Sequence, residues 1–497
     1  MNLVAALLAP AATTPDRPAL RSATGSVTHG ELAARAGRAH ALIAGHAAPG
    51  ERVAIVAGTE PAFVTAYLGA LAAGAVAVPL NPTAPAHELA RDLAAVAPAL
   101  VVAAPPFADL ARRARSRAGL AAPMLVLDDD ASDARSARPP VARAAGDLAV
   151  LLFTAGTAGP PRAAMLTHGS LLANLEQMQG HPGLRVRPED VALGVLPLFH
   201  VFGLNVVLDL ALIAGASVAL VEHFHPAETL ARIRADGVTV VAAVPAIYAA
   251  WVALADAPTD AFSGVRLCVS GAAALPDDVA DAMRDRFGVE VHQGYGLTEA
   301  SPVVTTTAVH ERPRPGSIGP PLPGVEVRLV DPDGHDALEG DAGEIWVRGP
   351  NVFAGYWDDP EATARVLTPD GWLRTGDIAA VDADGWLTLV DRAKDVVIVS
   401  GFNVYPGEVE EALAGHPDVA DVAATGEPDA RTGETVVAYV VPREGCAPDP
   451  VELLRHAGRR LARYKLPSRI EFVPELPRSA TGKVLRRELS GLAGEPR

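Results

Sequence analysis

Residues Gly50–Pro82 read GERVAIVAGTEPAFVTAYLGALAAGAVAVPLNP. The run RVAIVAG is apolar and β-branched, bounded by glycine, and has the composition of a buried strand. EPAFVTAYLGALAAG is long enough for a helix and opens on a proline, which suits a first helical turn. AVAVPLNP is a second apolar strand. Neither strand alternates apolar with polar residues, so both faces of the sheet are expected to be covered. A strand, a helix and a strand in that order make a parallel crossover unit.

The same logic recurs along the chain: ASVALVE, PAETLARIRADG and VTVVAAVP, then VRLCVSG, LPDDVADAMRDRFG and VEVHQGYG. After about residue 310 the texture changes to short strands with Asp-Gly and Gly turns, in GVEVRLVDPDG, AGEIWVRGP and GWLTLVDR. Beyond DRAKD a further αβ unit begins. The expected fold class is α/β: a large N-terminal region (1–394) of two αβ subdomains with parallel sheets and a small β-rich subdomain from about 310. A small α+β C-terminal domain (395–497) follows.

At 497 residues, two to four domains are expected. A net charge of −17 disfavours nucleic acid or an anionic membrane as a partner. The stretch from Arg455 to Arg487 departs from this balance, with ten Lys or Arg against two Glu. Cys268 and Cys446 are far apart without metal-ligand spacing, which suits a reducing cytoplasm. MNLVAALLAP lacks a basic leader and reads as an amphipathic first helix, and no apolar run has membrane-spanning length. Of 42 basic residues only Lys394, Lys465 and Lys483 are lysine, so each is a candidate for work a guanidinium does not do.

Several loops follow strands and carry chemistry. FTAGTAGPPRAAMLTHG (Phe153–Gly169) sets Thr154, Gly156, Thr157 and Gly159 side by side. Hydroxyls and close-approaching backbone N–H groups of this kind suit phosphate, yet no Gly-Lys-Ser/Thr ending makes it a Walker loop. LPLFHVFG holds His200, VSGAAALP ends a strand in small residues, and QGYGLTEAS joins an aromatic, a hydroxyl and a carboxylate. LRTGDIA holds Asp377, LVDRAKD holds Arg392 and Lys394, and PRSATGKVLRREL holds Lys483.

In this order the motifs make the chain resemble the adenylate-forming superfamily: acyl-CoA synthetases, amino-acid adenylation domains and beetle luciferases. It is most like a bacterial fatty-acid–CoA ligase. The resemblance implies a ligase that joins a carboxylic acid to ATP as acyl-AMP, then passes the acyl group to a thiol. By that resemblance Thr154, Gly156, Thr157 and Gly159 hold the β- and γ-phosphates. Gly271, Ala272 and Ala273 line adenine, and Tyr295 stacks on it. Thr298 meets the α-phosphate, Glu299 binds Mg²⁺, and Asp377 with Arg392 binds ribose. Lys483 is the catalytic lysine and Lys394 the hinge about which a mobile C-terminal domain alternates between the two half-reactions. His200 joins the catalytic set, and Lys465 is assigned structure or proximity to coenzyme A. The basic C-terminal stretch would steer polyanionic substrates. The chain departs from the family loop at Ala155, Ala158 and Arg162. Two lost hydroxyls remove hydrogen bonds worth on the order of 1.5–3 kcal/mol each to a charged partner, so weaker ATP binding is expected.

Amino-acid-activating relatives carry an aspartate beside the position of Phe202. Here HVFGLNVVLDL is apolar over that stretch, so a substrate ammonium would be buried unpaired. An apolar acid is therefore expected, a medium- or long-chain fatty acid ahead of an aryl acid. The pocket candidates are His200, Phe202, Val244, Pro245, Gly294 and Leu297. Coenzyme A is the expected acceptor. A carrier-protein phosphopantetheine and a non-catalytic nucleotide-binding relative are the alternatives.

Overall fold

The computed structural model describes residues 2–128, 138–154, 161–273, 275–309, 313–314, 316–331, 334–337, 342–392, 397–404, 406–477 and 489. The Gly50–Pro82 stretch folds as strand Arg52–Val56, helix Pro61–Ala72 and strand Val76–Leu80. The two strands are parallel, with Val53 opposite Ala77 and Val56 opposite Leu80. All 12 residues of the helix are buried, which is why it shows no polar face. It packs against His29–Ile43 so closely that a Cβ on Gly69 would lie 2.4 Å from the Ala39 Cβ.

These strands belong to a six-stranded sheet in the order Met124–Val126, Leu100–Ala103, Arg52–Val56, Val76–Leu80, Leu148–Thr154, Arg162–Thr167. Only the last pairing is antiparallel. An eight-stranded sheet runs Val303–Thr306, Val291–Gly296, Leu267–Ser270, Val240–Ala243, Val191–Gly194, Ser217–Leu220, Pro18–Ser22, Gly25–Thr28. Its six inner strands are parallel, and each edge strand pairs antiparallel. One apolar core joins both sheets through the helices between them. A five-stranded antiparallel sheet, Ser317–Gly319, Leu387–Arg392, Leu373–Val381, Ala342–Arg348, Glu326–Val330, is the β-rich unit expected after residue 310.

The last sheet uses only residues from 397 onward: Phe402–Val404, Val397–Val399, Gly433–Pro442 and Val419–Asp429, with Arg469–Phe472 alongside. One face packs the helices Pro406–Ala414 and Pro450–Ala457 through Val422, Ala424, Val436 and Ala438. The opposite face, through Ala423, Val437 and Tyr439, packs Leu476 and Leu489. The stretch PVELLRHAGRRLARYK is α-helical as far as Ala457, where Gly458 caps it, and ends in a short 3₁₀ turn, Arg463–Lys465. The first helix, Leu3–Leu7, buries Leu3, Val4 and Leu7, and the Leu3 N–H donates to His168 Nδ1 at 3.2 Å. Among the described residues no helix is long and apolar enough to cross a membrane.

Candidate active site

A parallel sheet gathers its loops at the carboxyl ends of its strands, and clefts form there. Strand Leu148–Thr154 of the first large sheet ends at Thr154. In the second, Leu267–Ser270 runs into Gly271 and Ala272, and Val291–Gly296 into the turn Thr298–Ala300. From the antiparallel sheet, Leu373–Val381 brings Asp377. These ends line one cavity of about 530 Å³.

Its polar end is cross-linked by side chains from different sheets. Tyr295 Oη donates to Asp377 Oδ2 at 2.8 Å. Glu299 Oε1 accepts from Thr154 Oγ1 at 3.3 Å and from Tyr356 Oη at 2.7 Å. Strand pairing places Arg392 opposite Asp377. Gly271 is closely packed, since a Cβ there would sit 3.2 Å from the Phe202 ring, and Ala272 takes a left-handed φ of 69°.

One part of the remaining wall is apolar for a periodic reason, while Arg162, Glu344, Arg365 and Arg374 also line the cavity. Val240 and Ala242 on one strand, and Leu267 and Val269 on the next, share one face of the second sheet. That face is the floor. Met178, Leu184, Val186, Val206 and Leu210 cover it. Val206 lies on the wide π-type helical turn Phe202–Asp209, a form often found at functional sites. His200 lies in the wall, and burial pushes its imidazole pKa down to about 4. Its Nδ1 accepts from the Phe202 N–H at 3.3 Å, so the neutral ring carries its proton on Nε2.

Most of the sequence-expected residues described here meet in this cavity: Thr154, His200, Phe202, Gly271, Ala272, Gly294, Tyr295, Leu297, Thr298, Glu299 and Asp377. Three expected residues do not line it. Ala273 lies past the two lining residues Gly271 and Ala272. Val244 and Pro245 leave the sheet floor as helix Pro245–Ala253 begins. The Val244 side chain is taken up by the C-terminal unit, where a Cβ on Gly401 would lie 2.4 Å from Val244 Cγ1. Arg162, where the chain departs from the family loop, lines the cavity and pairs with Asp359 at 2.8 Å. Lys465 is buried between two carboxylates, so its charge is not available for steering. Gly156, Thr157, Gly159, Lys394 and Lys483, with the loop substitutions Ala155 and Ala158, lie outside the described residues.

Tyr356 and Gly401 were not singled out by sequence, and both line the cavity. Tyr356 sits in PNVFAGYWDD, whose composition has no binding signature; only its reach to Glu299 reveals it. No group of three or more His, Cys, Asp or Glu among the described residues is placed to hold a metal. Glu299 with the Thr154 hydroxyl still fits Mg²⁺, which keeps water and phosphate oxygens and needs one or two carboxylates from protein.

Residues 7–357 match the AMP-binding enzyme family, and residues 408–483 match the AMP-binding enzyme C-terminal domain. The chain belongs to the AMP-binding enzyme family. Within this adenylate-forming superfamily it is an AMP-forming acid–thiol ligase. It is 38% identical to a feruloyl-CoA synthase of Amycolatopsis sp, over 96% of each chain. A long-chain-fatty-acid–CoA ligase of Bacillus subtilis is 41% identical over 69% of this chain and 61% of its own length. A double mutant of the o-succinylbenzoate CoA synthetase of Bacillus subtilis, bound with a product analogue, superimposes with a TM-score of 0.88. That match is 29% identical and covers 98% of both chains.

Proposed function

We propose that this AMP-binding enzyme activates an apolar monocarboxylic acid with ATP and Mg²⁺ and transfers the acyl group to coenzyme A. The observation carrying the reading is a single cavity with a polar end, held by Tyr295–Asp377 and Thr154–Glu299, that continues into an apolar end. The apolar end is formed by Met178, Leu184, Val186, Val206, Leu210, Val240, Ala242, Leu267 and Val269, whereas the charged lining residues Arg162, Glu299, Glu344, Arg365, Arg374 and Asp377 come from other elements. A second carboxylate or a sulfonate on the substrate would be buried there without a partner, at a cost of several kcal/mol.

In the first half-reaction a carboxylate oxygen of the acid attacks the α-phosphorus, the bond to the bridging oxygen breaks, and pyrophosphate leaves. Tyr295 stacks on adenine beside Gly271 and Ala272, Asp377 accepts from ribose, and Thr298 donates to the α-phosphate. Thr154 and the loop after it hold the outer phosphates. Glu299 would hold Mg²⁺, which would supply neutralising charge to the phosphates. Lys483 stabilises charge as it moves to the bridging oxygen. Neutral His200 offers Nε2–H as a hydrogen-bond donor at the junction of acid and nucleotide. In the second half-reaction the coenzyme A sulfur attacks the acyl carbon, and the bond to the AMP oxygen breaks. We further propose 1–394 and 395–497 as the two domains that alternate about Lys394.

A medium- or long-chain fatty acid is the first reading, supported by the apolar lining of the floor. An aryl acid is the second reading, favoured by the 96% coverage of the feruloyl-CoA synthase. The test is a panel of fatty acids of graded length, hydroxycinnamic acids and dicarboxylic acids, with ATP, Mg²⁺ and with or without coenzyme A. Pyrophosphate release and the mass of the product are read. Thioesters of apolar acids support the proposal. Turnover confined to dicarboxylic acids, or none with any acid, overturns it. Adenylate that accumulates and resists coenzyme A but loads a phosphopantetheinyl carrier protein would move the acceptor to that carrier.

A further inference from the structure

Lys465 has no role in the reaction above, yet its surroundings are specific. Its Nζ donates to Glu408 Oε2 at 2.6 Å and to Glu88 Oε2 at 3.4 Å, and all three side chains are less than a tenth exposed. Glu88 Oε1 also accepts from the Ala462 N–H at 3.1 Å. Glu88 belongs to helix Ala86–Val96, which packs on the first large sheet. Glu408, Ala462 and Lys465 belong to the C-terminal unit. The contact therefore bridges the two units, and neither the nucleotide nor the acid end of the cavity includes it.

This bridge accompanies one orientation of the C-terminal unit. Gly401, at the turn between Val397–Val399 and Phe402–Val404, lies against Val244 and forms part of the cavity wall. Phe402 stacks on Tyr464 with ring centroids 4.4 Å apart, next to Lys465. Helix Pro406–Ala414, which carries Glu408, lies on the sheet face turned to Glu88. Leu489, six residues beyond Lys483, packs on the opposite face of that sheet. The turn at Gly401, and not the Leu489 face, is thus what meets the cavity.

We propose that Glu88 is a positioning residue: with Lys465 and Glu408 it latches the C-terminal unit in the orientation that serves thioester formation, and it must release for adenylation. This rests on the two-step reading above. Loss of the Glu88 charge removes the ion pair between the units while Lys465 stays paired with Glu408 inside its own unit, and loss of Lys465 leaves two buried carboxylates without their cation. Removing the latch therefore lowers the fraction of enzyme in the competent orientation, and the apparent rate falls with that fraction. Glu88 touches neither reacting group, so the first half-reaction is spared.

The test uses the full chain with Glu88→Gln and, separately, Lys465→Met. Acid-dependent ATP–pyrophosphate exchange reads adenylation, and single-turnover conversion of preformed acyl-adenylate by coenzyme A reads thioester formation. The latch predicts a loss of about tenfold or more in thioester formation, with exchange unchanged within about twofold or raised. Equal losses in both halves, or none in either, overturn it. Orientation is read independently of chemistry by the distance between spin labels on partly exposed Cys446 and on Arg113→Cys, whose side chain is exposed in the N-terminal unit. Glu88→Gln should broaden or shift the distribution. An unchanged distribution overturns the latch. A wild-type enzyme without exchange on any acid sinks the activity, while the distances still decide the latch.

Discussion

Asp209 closes the helical turn that carries Phe202 and Val206 into the cavity wall, and it is fully buried. Its Oδ2 accepts from Tyr67 Oη at 2.9 Å, and Oδ1 has no hydrogen-bond partner among the described residues. Burial pushes the carboxyl pKa up to about 8, with the Tyr67 hydrogen bond opposing. In the unfolded chain an aspartate titrates near about 3.9. Below that value both states are protonated and the fold has its full stability. Between about 4 and 8 only the unfolded state ionises, so stability falls as pH rises; above the folded value both are ionised and the curve flattens. About four pH units at about 1.4 kcal/mol each give a loss of roughly 6 kcal/mol. Asp209→Asn abolishes this titration and keeps an acceptor for Tyr67, but it buries an unmatched amide N–H at about 1–3 kcal/mol. The variant should be the less stable protein near pH 4 and the more stable one at pH 8. Urea unfolding at fixed temperature between pH 4 and pH 9 measures the difference. A gap that stays constant across that range would refute a buried neutral carboxyl. The KM for the acid offers a second readout: it should rise above pH 8 in the wild type and stay level in the variant.

Tyr295→Phe removes the hydrogen bond to Asp377 while keeping the ring, so the KM for ATP should rise about tenfold and the KM for the acid should hold; steady-state kinetics in each substrate separate the two. Ala242→Phe fills the floor beside Val240 and opposite Val269. It should abolish turnover of the longest accepted acids and retain the shortest, and a uniform loss across a length series would remove Ala242 from the acyl wall. Lys483→Ala should nearly abolish pyrophosphate exchange and spare thioester formation from supplied acyl-adenylate, the reverse of Glu88→Gln; parallel loss of both steps would contradict its assigned role. Restoring serine at 155 and threonine at 158 should lower the KM for ATP, and an unchanged KM would mean that these positions do not touch phosphate.

What was legible in the sequence alone is what has a local cause. Parallel sheets follow from strands that are apolar on both faces, as in Arg52–Val56 and Val76–Leu80. Tyr295 and Glu299 were readable because their run of unusual residue types ends and follows a parallel strand, where such topology gathers its loops, and Asp377 only through its place in the ordered set of motifs, since it lies mid-strand in the antiparallel sheet. Tertiary structure alone decided the rest. Val240, Ala242, Leu267 and Val269 look like any buried strand residues until a second strand sets their shared face opposite Met178 and Val206. Val244 carries the same apolar signature, yet Gly401, distant in sequence, removes it from the cavity. Tyr356 gains its meaning from a carboxylate 57 positions away, and Lys465 from Glu88, 377 positions away. Spacing along a chain reports which way a side chain points relative to its neighbours. It carries no information about which distant surface will desolvate it, and desolvation by a distant partner is what gives Lys465, His200 and Asp209 their properties.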